Sequence, residues 1–390
     1  MHNNPSETLS FHRMQFQHEQ VDTDPPSARL GTCLATDLTG NGRDDIIVGG
    51  FGPHKHLRIN GAPTRIPNLA GLRDRLGFPE PNLYWYENPG WERHDIANLP
   101  KIDVGHTLGD VDGDGRVDLL VAQGIKNHDV YWLRQPDDPR EEWDVFLITD
   151  SYEKYHDLAF GDIDDDGKPE VVGLSQESDV VFYYDIPSDP TSEPWPDNHR
   201  HVVAEGLSVE GAAMADIDGD GRTELIAGPN VFHREGDEWR REVIADDGWE
   251  DARVAVADVD DDGVPEVILT EGDSPHLVDN PGRVAIFDPP DWSRTVLSEQ
   301  MFCPHSVQVA DFNGDGLPDI YVAEMGLGEN DDPKHVVFEN QGDGRFTAET
   351  IANGIATHEA KVADITGTDS PDIVGKSYTP DHHVDVLYNK

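Results

Sequence analysis

Cations are scarce in this chain. Its 390 residues carry 29 Lys and Arg against 78 Asp and Glu, a net charge of −49, and only nine of the 29 are Lys. Such a surface repels nucleic acid and anionic lipid, so neither is an expected partner. Cysteine is nearly absent as well: Cys33 and Cys303 cannot form a disulfide framework, and we read both as free thiols. No run of 18 apolar residues occurs, and the first residues, MHNNPSETLSFHRMQF, have neither a basic nor an apolar leader region. The expectation is a soluble, cytoplasmic protein. Low lysine with excess acid suits a high-salt cytosol, where a Debye length of ~3 Å at 1 M salt screens self-repulsion.

What the chain does contain is a phrase repeated seven times: an alternating strand, an Asp-rich loop, then a β-branched strand. HTLGDVDGDGRVDLLVAQ, EGAAMADIDGDGRTELIAG and HSVQVADFNGDGLPDIYVAE are three of its copies. The loops start at Asp37, Asp110, Asp162, Asp216, Asp258, Asp311 and Asp364, so the intervals are 73, 52, 54, 42, 53 and 53 residues. Two further strand patterns follow each phrase, separated by Gly, Asp or Asn turns. The fold class is therefore all-β: one seven-bladed β-propeller domain over residues 1–390 with four strands, A to D, in each blade. The seventh unit stops after VDVLYN, and residues 8–17 read as an orphan strand. The N-terminal strand is expected to complete the last blade, which leaves no open edge.

In the pattern D-x-[DN]-x-D-G-x-x-[DE], oxygens at positions 1, 3, 5 and 9 surround one point, and glycine at position 6 permits the bend. Five loops fit: Asp110, Asp112, Asp114, Asp118; Asp162, Asp164, Asp166, Glu170; Asp216, Asp218, Asp220, Glu224; Asp258, Asp260, Asp262, Glu266; and Asp311, Asn313, Asp315, Asp319. Calcium, in a structural role, is the expected occupant. Blade 1 offers only Asp37, Thr39, Asn41 and Asp45, and blade 7 lacks the glycine, so weak or no binding is expected there. The alternative is a set of polar turns closed by their own Asx hydrogen bonds without metal.

These loops resemble the FG-GAP or VCBS repeats of integrin α-subunit propellers and many microbial propellers, and the resemblance covers essentially the whole chain. It implies the fold and leaves function open.

Because the Asp loops join A to B on one face, the starts of the A strands lie on the opposite face, about 20 Å away at ~3.3 Å per residue. Six residues before the first loop Asp, the blades carry Gly31, Val104, His156, Glu210, Ala252, His305 and His358, with His106 two residues further along its strand. With 18 His in 390 residues, seven positions would hold roughly a third of a histidine by chance. Asp157, Arg253 and Glu359 stand beside them, and Gln123, Glu271, Glu324, Lys376 and Tyr378 end the B strands. All are expected around the mouth of the central channel, under long B-to-C connections that include an insertion at 50–81. The Pro-rich stretch 186–198, on the loop face, reads as a surface excursion.

A ring of His106, His156, Glu210, Arg253, His305, His358, Lys376 and Tyr378 supplies what proton abstraction beside a carbonyl needs: a base, a cation for the enolate and an acid for the leaving group. The same histidines suit a transition metal such as Zn2+ or Mn2+. The chain is similar to the propeller part of fungal aldos-2-ulose dehydratases and, more loosely, to propeller polysaccharide lyases. That resemblance implies a carbon–oxygen lyase, a dehydratase or β-eliminating enzyme acting on a keto sugar, uronide or oligosaccharide. The cupin domains of the fungal dehydratases have no counterpart in this sequence. The competing expectations are a non-catalytic propeller binding carbohydrate or protein, and a metal-dependent hydrolase or oxidoreductase. Neither G-x-G-x-x-G nor G-x-S-x-G occurs.

Overall fold

The computed structural model describes residues 14–390 apart from 28, 52–57, 60, 61, 64–80, 250, 277–280, 343 and 369; residues 58, 59, 62 and 63 are described by backbone alone. The insertion expected at 50–81 lies largely outside the described residues.

Seven antiparallel sheets of four strands follow one another, each in the order A-B-C-D. Blade 1 shows the plan: A is Leu30–Thr36, B is Asp45–Gly50, C is Leu83–Glu87 and D is Glu92–Ala97. The A strands of blades 2 to 7 are Ile102–Gly109, Tyr155–Gly161, Ala212–Ala215, Ala252–Ala257, Pro304–Ala310 and Glu359–Ala363. Each packs against the A strands of its two neighbours, and blade 7 returns to blade 1, so the sheets form a closed ring. Among the described residues the helical structure is one short 3-10 turn, Asp197–His199.

Closure works as the sequence suggests, with a shifted boundary. The strand that completes blade 7 is Phe16–Asp22, paired antiparallel with Val384–Asn389, rather than residues 8–17. Residues 8–13 lie outside the described residues. This pairing gives blade 7 its fourth strand and covers the edge of Val384–Asn389.

The β period of two explains the core between blades. In strand C of blade 1, Tyr84 faces the core shared with blade 7 and Trp85 the core shared with blade 2. Tyr131 and Trp132 alternate in the same way one blade on. All four are fully buried. The stretch 186–198 is more than an excursion: Trp195 returns to the core between blades 2 and 3, and its backbone N–H donates to the Ile148 carbonyl.

The Asp loops brace the blades through their own backbone. The carboxylate at position 1 accepts the N–H of the position-6 glycine at 2.8–2.9 Å in all five good loops, for example Gly115 onto Asp110 and Gly263 onto Asp258. That glycine has φ between 84° and 93° in each, a region other residues enter only with strain. The position-9 carboxylate turns inward. Asp118 accepts the N–H groups of Val111 and Gln135 and the indole N–H of Trp132, at 3.1, 2.9 and 2.8 Å. Asp45 and Asp319 make the matching pairs of backbone bonds in blades 1 and 6.

Candidate functional site

The A strands turn their channel-facing residues toward one axis, and a cavity of about 330 Å³ runs between them. Every blade contributes to its wall, with Leu34, His106, Asp157, Gly211, Arg253, His305 and Glu359 among the lining residues. Of the eight side chains expected to converge, His106, Arg253 and His305 line this cavity. His156 and Glu210 stand against Arg253 and His358 against His305, while Lys376 and Tyr378 join the group through His358.

Two ion pairs reach past an intervening blade. Arg253 of blade 5 reaches Asp157 of blade 3, Nη2 to Oδ1 3.2 Å. Between them lies Gly211 of blade 4, where a Cβ would stand 2.4 Å from the Ala252 carbonyl. His106 of blade 2 reaches Glu359 of blade 7, Nε2 to Oε1 3.1 Å. Blade 1 presents the Cys33 carbonyl there, 3.2 Å from the same Nε2. Lys361 joins the same Glu359 oxygen at 2.9 Å and also lines the cavity. Burial pushes the Glu359 carboxyl up, but His106 and Lys361 outweigh it and hold the group well below the usual carboxylate range.

The His106 contacts fix its tautomer. Nε2 faces Glu359 and the Cys33 carbonyl, at 3.1 and 3.2 Å, so it carries the proton. Nδ1 is buried without a hydrogen-bond partner, which leaves a free lone pair on a cavity-lining imidazole. A base oriented by a carboxylate is the arrangement general-base catalysis requires.

A second cluster centres on His156. Its Nδ1 is 2.7 Å from Asp157 and its Nε2 3.1 Å from Glu210 Oε2; Arg253 Nη1 also approaches Nδ1, at 3.1 Å. Burial lowers the His156 pKa, but Glu210 and Asp157 together raise it above the usual histidine value. Glu210 is held on its other oxygen by Gln176 at 2.7 Å. Across the channel, His305 donates from Nδ1 to the His358 carbonyl at 2.9 Å. One ligand atom each of His156, Glu210 and His305 fall within 4.8 Å of one another.

The third group is a column of planar side chains. Arg29 lies over Tyr378 at 4.9 Å, Tyr378 stacks on His358 at 4.4 Å, and His358 stacks on His305 at 4.1 Å. Burial holds both His305 and His358 well below the usual histidine pKa, so both are neutral. Lys376 closes the base of the column through His358. Burial lowers its ammonium to about 8, opposed by Glu359.

Strand bulges aim two of these histidines. The A-to-B register slips between Tyr155 and Asp157 and again between Pro304 and Ser306, so His156 and His305 are the bulged residues. Three residues at the B-strand ends join other structures. Gln123 accepts from the N–H groups of His128 and Asp129, Glu271 holds Arg283, and Glu324 accepts from Phe302 and Lys334, so all three brace the loops beside them. Gln176 and Lys361 were missing from the expected set. Gln176 follows the B strand of blade 3, and Lys361 is two residues past Glu359, on the same side of its strand.

The loop carboxylates carry orphaned oxygens that fit a cation. Asp112 Oδ1, Asp162 Oδ1, Asp216 Oδ1 and Glu266 Oε1 are buried without a hydrogen-bond partner, and a hard cation would satisfy them. Blade 5 gathers four carboxylates, Asp258, Asp260, Asp262 and Glu266, within 4.8 Å. Arginines already stand on the loops of blades 2 and 3: Arg134 of blade 2 on Asp112 at 2.6 Å, and Arg234 of blade 4 on Asp164 of blade 3 at 2.9 Å. In blade 4, His233 adds a nitrogen beside Asp218 and Glu224, which loop spacing could not reveal.

Residues 110–173, 162–227 and 311–375 match the family model described as FG-GAP-like repeat. No curated protein matches the chain. Among solved structures, the crystal structure of BBS1N in complex with ARL6DN is similar over 97% of this chain and 96% of that one, with 10% identity and a TM-score of 0.54. At that identity the likeness concerns the fold alone.

Proposed function

This chain is an FG-GAP-repeat β-propeller, and on that premise we propose that its channel houses a carbon–oxygen lyase acting on a small keto sugar or uronide. The observation that carries the reading is the pairing of His106 and Lys361 on one carboxylate oxygen of Glu359, at 3.1 and 2.9 Å, on the wall of the channel cavity. Nδ1 of His106 removes the proton from the carbon next to the substrate carbonyl or carboxylate. The C–H electrons form the new double bond as the C–O bond on the neighbouring carbon breaks. Lys361 protonates the departing oxygen, which leaves as water or as a sugar hydroxyl. Arg253, anchored by Asp157, holds the negative charge that develops on the enolate oxygen. Glu359 orients both acid and base.

Calcium is proposed at the Asp loops, strongest in blade 5, as a brace remote from this chemistry.

A second reading, a propeller that binds without catalysis, is favoured by burial: His156, Glu210, His305, His358 and Lys376 are each at most 5% exposed, as members of a structural network would be. Ultraviolet detection of unsaturated product from keto sugars and uronides separates the two. The lyase reading expects product that disappears in His106→Gln; binding of the sugar without product favours the scaffold.

A further inference from the structure

We infer that the Asp loop of blade 4 is a site for one divalent transition ion, zinc the expected occupant, held by His233, Asp218 and Glu224 where its sister loops suit calcium. It lies on the loop face, about 20 Å of strand away from the channel mouth, and is independent of the elimination chemistry above.

The register of the C strands sets blade 4 apart. Blade 3 pairs Asp185 with Glu170, the carboxylate at loop position 9. One residue beyond the Val267–Phe287 and Ile320–Phe338 pairs, Asp288 and Glu339 stand opposite Glu266 and Asp319. One residue beyond the Leu225–Phe232 pair, blade 4 puts His233 opposite Glu224. Three blades thus offer oxygen at this place and blade 4 offers an imidazole. Oxygen-only sets suit calcium, whereas a mixed set of imidazole and carboxylate suits zinc.

The ring is aimed at the carboxylates without bonding them. His233 is 8% exposed, and its Nδ1 stands 3.6 Å from Asp218 Oδ2 and 3.7 Å from Glu224 Oε1. Both separations are too long for hydrogen bonds, yet close to the edge of about 3.3 Å between ligands that sit about 2.0–2.1 Å from a tetrahedral ion. Glu224 gives its other oxygen to the Ile217 N–H at 3.0 Å, which fixes the direction of Oε1. Nε2 of His233 is buried without a hydrogen-bond partner and faces Glu242 Oε2 at 3.4 Å. A proton on Nε2, directed at Glu242, leaves the Nδ1 lone pair for the ion, the arrangement in which a carboxylate orients a ligating histidine. Glu242 is itself held by Arg240 at 2.9 Å and by the indole N–H of Trp292 from blade 5 at 2.8 Å, so the ion would be tied to the packing of two blades.

Charge favours a dication. Among the described residues no Lys or Arg forms an ion pair with Asp216, Asp218, Asp220 or Glu224, whereas Arg134 neutralises the corresponding loop of blade 2. Asp218 has a side chain 42% exposed, so the remaining coordination positions open to water.

The test uses the full chain, stripped of metal, saturated with calcium and then titrated with zinc alone, together with zinc-edge anomalous diffraction from crystals of the zinc-loaded chain. An anomalous peak beside Nδ1 of His233 is expected. His233→Asp, which gives blade 4 the carboxylate of blades 3 and 5, should bind one zinc fewer per chain under calcium saturation. Glu242→Gln should weaken zinc binding at this site about 10-fold through the orienting contact. A His233→Asp chain with the zinc count of the parent overturns the inference, as does a peak confined to the channel histidines or no peak at all. If His233→Asp fails to fold, the position of the anomalous peak in the parent decides alone. Both readouts report binding on the loop face, so they stand whether or not the channel eliminates anything.

Discussion

Lys376 donates from Nζ to Nδ1 of His358 at 2.7 Å and to the Leu30 carbonyl at 2.9 Å, with its side chain fully buried. His358 is thus held neutral with its proton on Nε2, and a cation lies beneath the stacked column. Glu359, Cys33, Asp103 and Arg253 surround that ammonium, and burial still lowers it to about 8 from 10.5. Between about pH 8 and 10.5 the unfolded chain therefore binds a proton that the native chain does not, so this group makes stability rise with pH across that window and adds no slope below it. Full titration is worth on the order of 3 kcal/mol. Thermal melts of parent and Lys376→Met at stepped pH check this: the difference between them should move in favour of the parent from pH 8 upward. A constant difference contradicts it.

The His106–Glu359–Lys361 group predicts a split between activity and stability. His106→Gln should lower elimination by about 10²- to 10⁴-fold, the range for loss of a general base. Glu359→Gln should lower it too, and should flatten the pH profile, because the carboxylate sets the His106 tautomer without touching substrate. Lys361→Met should slow substrates with a poor leaving group more than those with an activated one. Initial rates on both substrate types, with melting curves alongside, make the measurement. Equal loss on both would remove Lys361 as the acid.

How much of this was legible in the sequence follows from what repeats. The Asp loops fix the A-to-B hairpin in every blade, so counting back six residues lands at one height in all seven; His156, Glu210, His305 and His358 were found that way, and they do meet. Direction was not legible. A bulge at His156 and another at His305 re-aim those rings, and no single residue type marks a bulge. Reach was not legible either: Arg253 meets Asp157 two blades away because Gly211 stands between them, and a period-based reading sees Gly211 only as a gap. Gln123, Glu271 and Glu324 each stand 13 residues past the first loop Asp and Lys376 only 12, so they point to the other side of the strand, where their loops capture them through backbone N–H groups.

Asp118 predicts a difference between the two kinds of loop carboxylate. It is fully buried and accepts three hydrogen bonds. Asp118→Ala strands two backbone N–H groups and an indole N–H in the core, a loss of about 3–5 kcal/mol. Asp137, 94% exposed and paired only at the surface with Arg116, should change stability by less than about 0.5 kcal/mol when replaced by Asn. Denaturant unfolding of both variants distinguishes a brace from a solvated charge, and equal effects would refute the brace.

Calcium should stabilise through blade 5 more than through blade 2. Asp258, Asp260, Asp262 and Glu266 converge with an orphaned Glu266 oxygen, whereas Arg134 and Arg116 already neutralise Asp112 and Asp114. An ion held only by the native state adds about 2.7 kcal/mol at a concentration 100 times its dissociation constant. Melting curves with calcium and with chelator should therefore differ by several degrees for the parent. Asp260→Asn should shrink that difference, and Asp112→Asn should leave it nearly intact, because in blade 2 the arginines do the work of the cation. If both variants respond to calcium as the parent does, the loops are Asx turns that hold their shape through the backbone alone.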